Sequence, residues 1–175
     1  MYLNAILIVS LIFLMSRKMA RLTAVQRKYS AEDAPKGLES VLRNFGRETA
    51  QQVEKIFRLE TRHFKSEQFV NTGSAGMVAV KTGFPFGWGS LLRFMGSDLA
   101  KGDKTGFWKY KMLVGQKYWE YIGFPTIEDS MNFVAQTITD RGRAGAWYST
   151  RPESQDGYEE KLSKIRTPIV DGFRN

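Results

Sequence analysis

The stretch that decides the fold is "RLETRHFKSEQF", residues 58–69. It closes an amphipathic run that starts near residue 47, and it holds a carboxylate where the pattern asks for a hydrophobe. On a wheel of about 100° per residue with Val53 at zero, Ile56 falls near 300°, Phe57 near 40° and Phe64 near 20°. Glu60 falls near 340°, inside that apolar arc, while Glu54, Lys55, Arg58 and Arg62 fall at about 100–200°, on the opposite face. A carboxylate on a core-facing stripe must be paired, hydrogen-bonded or protonated. Apolar surroundings raise its pKa, which is what a general acid working near neutral pH requires. The plain alternative is a buried ion pair with an arginine across the core.

Working outward, "LESVLRNF" (38–45) reads as a short helix broken by Gly46, followed by a longer helix over residues 47–65. Between residues 73 and 123 the character changes: ten of the 16 glycines and three of the four tryptophans lie there. That glycine density predicts turns and tight strands rather than helix. Within it, "GFWKYKML" and "QKYWEYI" alternate around aromatic residues and predict a β-hairpin. "FPTIEDSMNFVAQTI" (124–138) returns to helix, with Thr126 as N-cap and Ile127, Met131, Val134 and Ile138 as one apolar stripe. "DRGRAGAWYSTRPES" (140–154) reads as loop or broken helix. A last short helix, "DGYEEKLSKI", places Tyr158, Leu162 and Ile165 on one face. The expected class is α+β and mostly helical, with helices flanking a small glycine- and aromatic-rich β lobe.

The chain of 175 residues suits one folded domain, and it has no cysteine and one histidine, His63. Disulfides, thiolate chemistry and multi-histidine metal sites are excluded, so no metal or cofactor is expected. Chemistry must come from carboxylates, hydroxyls, lysines or tyrosines. Net charge is +8. Arg17, Lys18, Arg21, Arg27 and Lys28 directly follow the apolar run "MYLNAILIVSLIFLMS" (1–16). The run is short for a spanning helix, which takes about 20 residues. It lacks the positive start and small-residue cleavage site of a secretory signal. A buried core helix at an extreme terminus is the other alternative. An uncleaved anchor fits best, with Tyr2 at one interface and Arg17 and Lys18 at the other. A lipid membrane is therefore an expected partner, through residues 1–16 and the basic residues 17–28. The absence of a helix-turn-helix, zinc or RNP-type signature argues against nucleic acid. Positive charge after the run leaves the rest of the chain on the cytoplasmic side by the positive-inside rule. A bacterial envelope or the membrane of a lipid-containing virus particle fits such a protein. The expected division is an anchor (1–16), a basic linker (17–36) and one folded domain (37–175).

"VEKIFRLETRHFKSEQFV" (53–70) resembles the acid-bearing helix of the glucosaminidase family of peptidoglycan hydrolases, in the lysozyme-like superfamily. The matching residues are Glu60, Thr61, His63, Phe64 and Ser66. "NTGSAGMVAVK" (71–81) stands where the family has an Asn-containing turn, with Asn71, Gly76 and Met77 corresponding across a rearranged spacer. "KYWEYIGFPTIEDSMNFVAQTI" is similar to the family's strand-then-helix segment through Tyr121, Glu128 and Ser130. The resemblance covers roughly residues 45–170. It implies a lysozyme-like domain that cleaves the glycan strand of peptidoglycan between N-acetylglucosamine and N-acetylmuramic acid, as hydrolase or lytic transglycosylase. Glu60 would be the general acid. The second carboxylate would come from Asp98, Asp103 or Glu120, with Asp98 and Glu120 favoured; a transglycosylase needs none. Tyr148 is the favoured assisting tyrosine, with Tyr121 as alternative. Trp88, Trp108, Trp119 and Tyr121 are candidates to line sugar subsites, and His63 reads as a structural hydrogen-bonder. The rival expectation is a membrane-anchored structural protein that binds glycan without cleaving it.

Overall fold

The computed structural model describes residues 27–76, 88–100, 102 and 106–174. The expected anchor and most of the basic linker lie outside these residues. No helix among the described residues is long and apolar enough to cross a membrane.

The architecture is α+β and mainly helical. A 3-10 turn, Ala31–Asp33, opens the described chain, and Ser30 and Asp33 form a reciprocal capping box around its start. It leads straight into α1, Ala34–Glu60, with proline in the first turn. The linker expected to reach residue 36 is therefore already helical from Ala34, because this cap and proline begin the helix early. Gly46 interrupts α1 with φ 83° and ψ 173°, so the expected break is a kink inside one long element. Only glycine adopts that backbone at little cost.

α1 ends at Glu60, not at residue 65. The Thr61 hydroxyl donates back to the Phe57 carbonyl and accepts from the Phe64 N–H at 2.8 Å. Arg62, His63 and Phe64 then adopt φ of 50, 58 and 67°. Three successive left-handed non-glycine residues cost roughly 1–2 kcal/mol each. Burial of Phe64 offsets that cost. Its ring stacks on Phe57 with centroids 6.2 Å apart and meets the edge of Phe69 at 5.5 Å. The turn feeds α2, Glu67–Thr72, capped by the Ser66 hydroxyl and closed by a left-handed Gly73.

α3, Trp88–Met95, falls in the glycine-rich stretch expected to hold turns and strands. The expected hairpin is present: β1, Trp108–Val114, pairs antiparallel with β2, Lys117–Gly123, Val114 facing Lys117 across the turn. Trp108 faces Gly123, and a side chain on Gly123 would overlap the Trp108 indole. α4, Ile127–Asp140, is capped by Thr126 as expected. Its whole stripe of Ile127, Met131, Val134 and Ile138 is buried, largely against α1. A 3-10 turn, Ala144–Trp147, leads to α5, Pro152–Ser163, and to a further short helix the pattern did not suggest, α6, Pro168–Gly172. Phe57, Phe69, Phe124 and Phe133 fill the core between α1, α2, α4 and the hairpin base.

Candidate functional site

Glu60 is the last residue of α1, half-buried, beside groups from three other segments. Burial raises its carboxyl above the ordinary 4.5, while the Tyr158 hydroxyl and the Lys161 amine pull it back. Both come from α5. The Tyr158 hydroxyl is buried with no hydrogen bond of standard geometry, and Glu60 is the carboxylate that acts on it. Burial and the neighbouring carboxylate hold that phenol far above its usual range, so it stays protonated and can only donate to Glu60.

The Tyr158 ring carries a second tyrosine. Tyr148 stacks on it with centroids 4.9 Å apart and planes 7° from parallel, and Tyr148 itself is 56% exposed. Tyr148, the expected assisting residue, is thus joined to Glu60 through Tyr158, a residue assigned from the sequence only to a helix face. The one available signal was the stripe placing Tyr158 toward the core, where its hydroxyl needs a polar neighbour.

The other wall is the loop after α2. Gly76 lies so close that a Cβ there would sit 3.6 Å from a Glu60 carboxyl oxygen. The Gln68 amide fixes this loop by donating to the Thr72 hydroxyl and to both oxygens of Ser74, at 2.7–2.9 Å. The Trp147 indole N–H donates to the Ala75 carbonyl at 3.2 Å, tying the loop to the 3-10 turn that carries Tyr148. Glu60, Gly76, Tyr148, Tyr158 and Lys161 therefore form one half-open site.

Glu60 is not the sole acid held toward the core. Glu54, which the wheel puts on the outer face, is fully buried. It accepts from the Ile169 and Val170 N–H groups at 3.2 and 2.9 Å and from the Arg58 Nε at 2.7 Å. α6 folds over that outer face, so the ion pair considered for Glu60 is made by Glu54 instead. Arg58 also reaches His63 at 3.3 Å and lies over the Phe64 ring, joining the buried acid to the left-handed turn.

Asp98 is exposed in the turn after α3; that turn is tied to α4 through Asn132 and Asp129, which accept or donate at Leu99 and Gly102. Glu120 is exposed and ion-paired with Lys109 at 3.5 Å. Asp103 lies outside the described residues. No cluster of three metal-ligating side chains occurs among the described residues.

Strand alternation puts Trp108, Tyr110, Met112, Trp119 and Tyr121 on one face of the hairpin. Trp108 donates to the Asn71 carbonyl at 3.2 Å and Tyr110 to Glu67 at 2.7 Å, so the lower part of this face seats the hairpin on α2. Trp108 is therefore lobe packing, while Trp119 and Tyr121 remain partly open on the same face. Trp88 opens α3, and its side chain lies outside the described part. A separate groove of about 440 Å³, lined by Gln52, Lys55, Ile138, Arg143, Glu159 and Leu162 among others, does not include Glu60.

Comparison with family models, curated proteins and solved structures finds no match to this chain.

Proposed function

We propose that this chain is a peptidoglycan-cleaving glycosidase with Glu60 as its general acid, held to a membrane of the bacterial envelope or of a lipid-containing virus particle by residues 1–16. The observation that carries the reading is the Glu60 carboxyl itself. It is half-buried, raised by desolvation, and served by a phenol that can only donate. Such a group keeps its proton at higher pH than an ordinary carboxyl, ready for a glycosidic leaving oxygen. The exposed Tyr148 ring offers a flat face for a sugar beside it. The net charge of +8 suits an anionic wall.

Glycoside cleavage ordinarily uses two carboxylates. Among the described residues both favoured candidates for the second acid are exposed, and Glu120 is already paired with Lys109. This favours the substrate-assisted form. Glu60 gives its proton to the leaving oxygen as the C1–O bond breaks. The C6 hydroxyl of the same sugar attacks C1, and the Glu60 carboxylate takes the hydroxyl proton. No water is consumed, and a 1,6-anhydro sugar is left.

The test is mass spectrometry of purified peptidoglycan digested with the full-length chain in detergent. Anhydro-muropeptides are expected, and Glu60→Gln should lower their formation by about a hundred- to ten-thousand-fold. New reducing ends instead would point to hydrolysis and a carboxylate outside the described residues. If neither product forms, the glycosidase reading fails.

A further inference from the structure

Large apolar side chains are exposed at few places among the described residues, and three of them are neighbours. Leu113, Val114 and Tyr118 are 54, 43 and 66% exposed. They surround the closed end of the hairpin, where Leu113 faces Tyr118 and Val114 faces Lys117. All residues from 113 to 118 are exposed, so this end stands clear of the domain. With strands of seven residues, the tip lies about 20 Å from the hairpin base.

The chemistry of the tip is mixed in an ordered way. Val114 and Lys117 flank the Gly115–Gln116 turn, Leu113 and Tyr118 come next, and the Lys111 amine lies 4.9 Å from the centre of the Tyr118 ring. Lys109 follows, paired with Glu120, the one acid of the two strands. Two aliphatic side chains and a phenol at a protruding end, flanked by Lys111 and Lys117 whose long stems let the amines reach back to phosphates, suit the boundary of an anionic bilayer. A glycan offers no partner for Leu113 and Val114. A stable protein partner needs roughly 800 Å² from each side, more than a two-residue turn presents.

The base of the hairpin is also where the N-terminal chain joins the domain. The Lys28 amine donates to the Asn71 side chain, on whose carbonyl the Trp108 indole rests. The Tyr29 hydroxyl donates to the Phe124 carbonyl, one residue past β2. Eleven residues, 17–27, separate Lys28 from the apolar run 1–16. Eleven residues span at most about 40 Å. A bilayer holding residues 1–16 therefore lies close enough to the hairpin base for the tip, about 20 Å out from that base, to meet it when the domain is turned toward it.

We propose that residues 113–118 are a membrane-dipping tip, inserting Leu113, Val114 and Tyr118 into the anionic bilayer that holds the N-terminal run, with Lys111 and Lys117 on its headgroups. The contact would fix the domain at a set height and tilt rather than on a free leash. The proposal does not depend on the glycosidase reading; its tether rests on the membrane reading of residues 1–16.

The lack of cysteine makes the test direct. Single cysteines at Leu113→Cys, Glu153→Cys and Ile8→Cys in the full-length chain carry an environment-sensitive fluorophore. Each chain is reconstituted into phosphatidylcholine vesicles, with or without phosphatidylglycerol, containing a lipid-borne quencher. The expected result is quenching at 113, dependent on phosphatidylglycerol, with none at 153. Lys111→Gln and Lys117→Gln should each weaken insertion of the 113 probe about fivefold. Quenching at 8 but not at 113 would overturn the tip while sparing the anchor. Quenching at neither would overturn both. Equal quenching at 113 and 153, or none of the dependence on phosphatidylglycerol, would reduce the contact to general adsorption. A 113 probe already shifted without lipid, in a chain that sediments as a dimer, would assign the tip to a second copy.

Discussion

On the proposed reading, the cost of Glu60 to folding and its use to chemistry have the same cause. Its pKa in the folded protein is raised by burial. Such a group contributes its full stability below the unfolded carboxylate range and loses it as pH climbs through the folded value. Glu60→Gln should therefore match the wild type in melting temperature at acidic pH and exceed it increasingly toward neutrality, while activity is lost. A Gln variant less stable at every pH would mean that the carboxylate holds the fold. Tyr158 and Lys161 both favour the ionised form, so removing either raises the pKa further. Since the protonated form is the acid, Tyr158→Phe and Lys161→Met should each move the alkaline limb of the pH–activity profile upward. The Tyr158 hydroxyl is buried without a standard hydrogen bond, so Tyr158→Phe should leave the melting temperature unchanged or slightly higher. A limb that stays put in both variants would detach Glu60 from the proton transfer.

At the level of elements, the sequence was most legible where one local signal suffices. Thr126 before an acidic first turn and a regular apolar stripe predict α4, and alternating aromatics around Gly115 predict the hairpin. Gly46 was readable as a break because no other residue suits its backbone. Gly46→Ala should cost about 1–3 kcal/mol in denaturant unfolding, whereas Gly157→Ala, inside α5 with open space around it, should be neutral or stabilising. The end of α1 was not readable. The spacing of Arg-His-Phe gives no sign of three left-handed residues, and the turn is held by the Thr61 hydroxyl and by the capture of Phe64 between Phe57 and Phe69. Glu54 was misplaced for a similar reason. A wheel assumes one buried face, and α6, more than a hundred residues later in sequence, covers the other. Glu54→Ala leaves Arg58 and two backbone N–H groups without their acceptor, and should cost about 3–5 kcal/mol in the same unfolding measurement. A loss below about 1 kcal/mol would show that α6 docks by its apolar residues alone.

Over the whole molecule, seven of the 18 acids are held in ion pairs among the described residues. Lys36–Glu128, Arg58–Glu54, Arg143 with Glu159 and Asp156, and Lys164–Glu160 all pair at 2.7–2.8 Å. With 26 basic and 18 acidic residues, the chain carries a net excess of eight positive charges. A field of that kind acts over a Debye length, about 10 Å at 0.1 M salt and 3 Å at 1 M. On the proposed reading it would help the protein find and hold an extended anionic wall, and would do nothing for a short neutral glycan already in the site. The Glu60 site is half-buried, and its neighbours act at contact range, so salt should leave its chemistry nearly untouched. Clearing of a wall suspension by the full-length chain in detergent is thus expected to fall steeply between 0.1 and 1 M salt. Turnover of a short uncharged glycan oligomer should change little over that range. Equal loss on both substrates would place the salt-sensitive step at Glu60 itself, through exposure of its carboxyl and of Lys161. Equal persistence would mean that the wall is recognised through stacking on aromatic faces such as Tyr148, with the basic surface serving the bilayer instead.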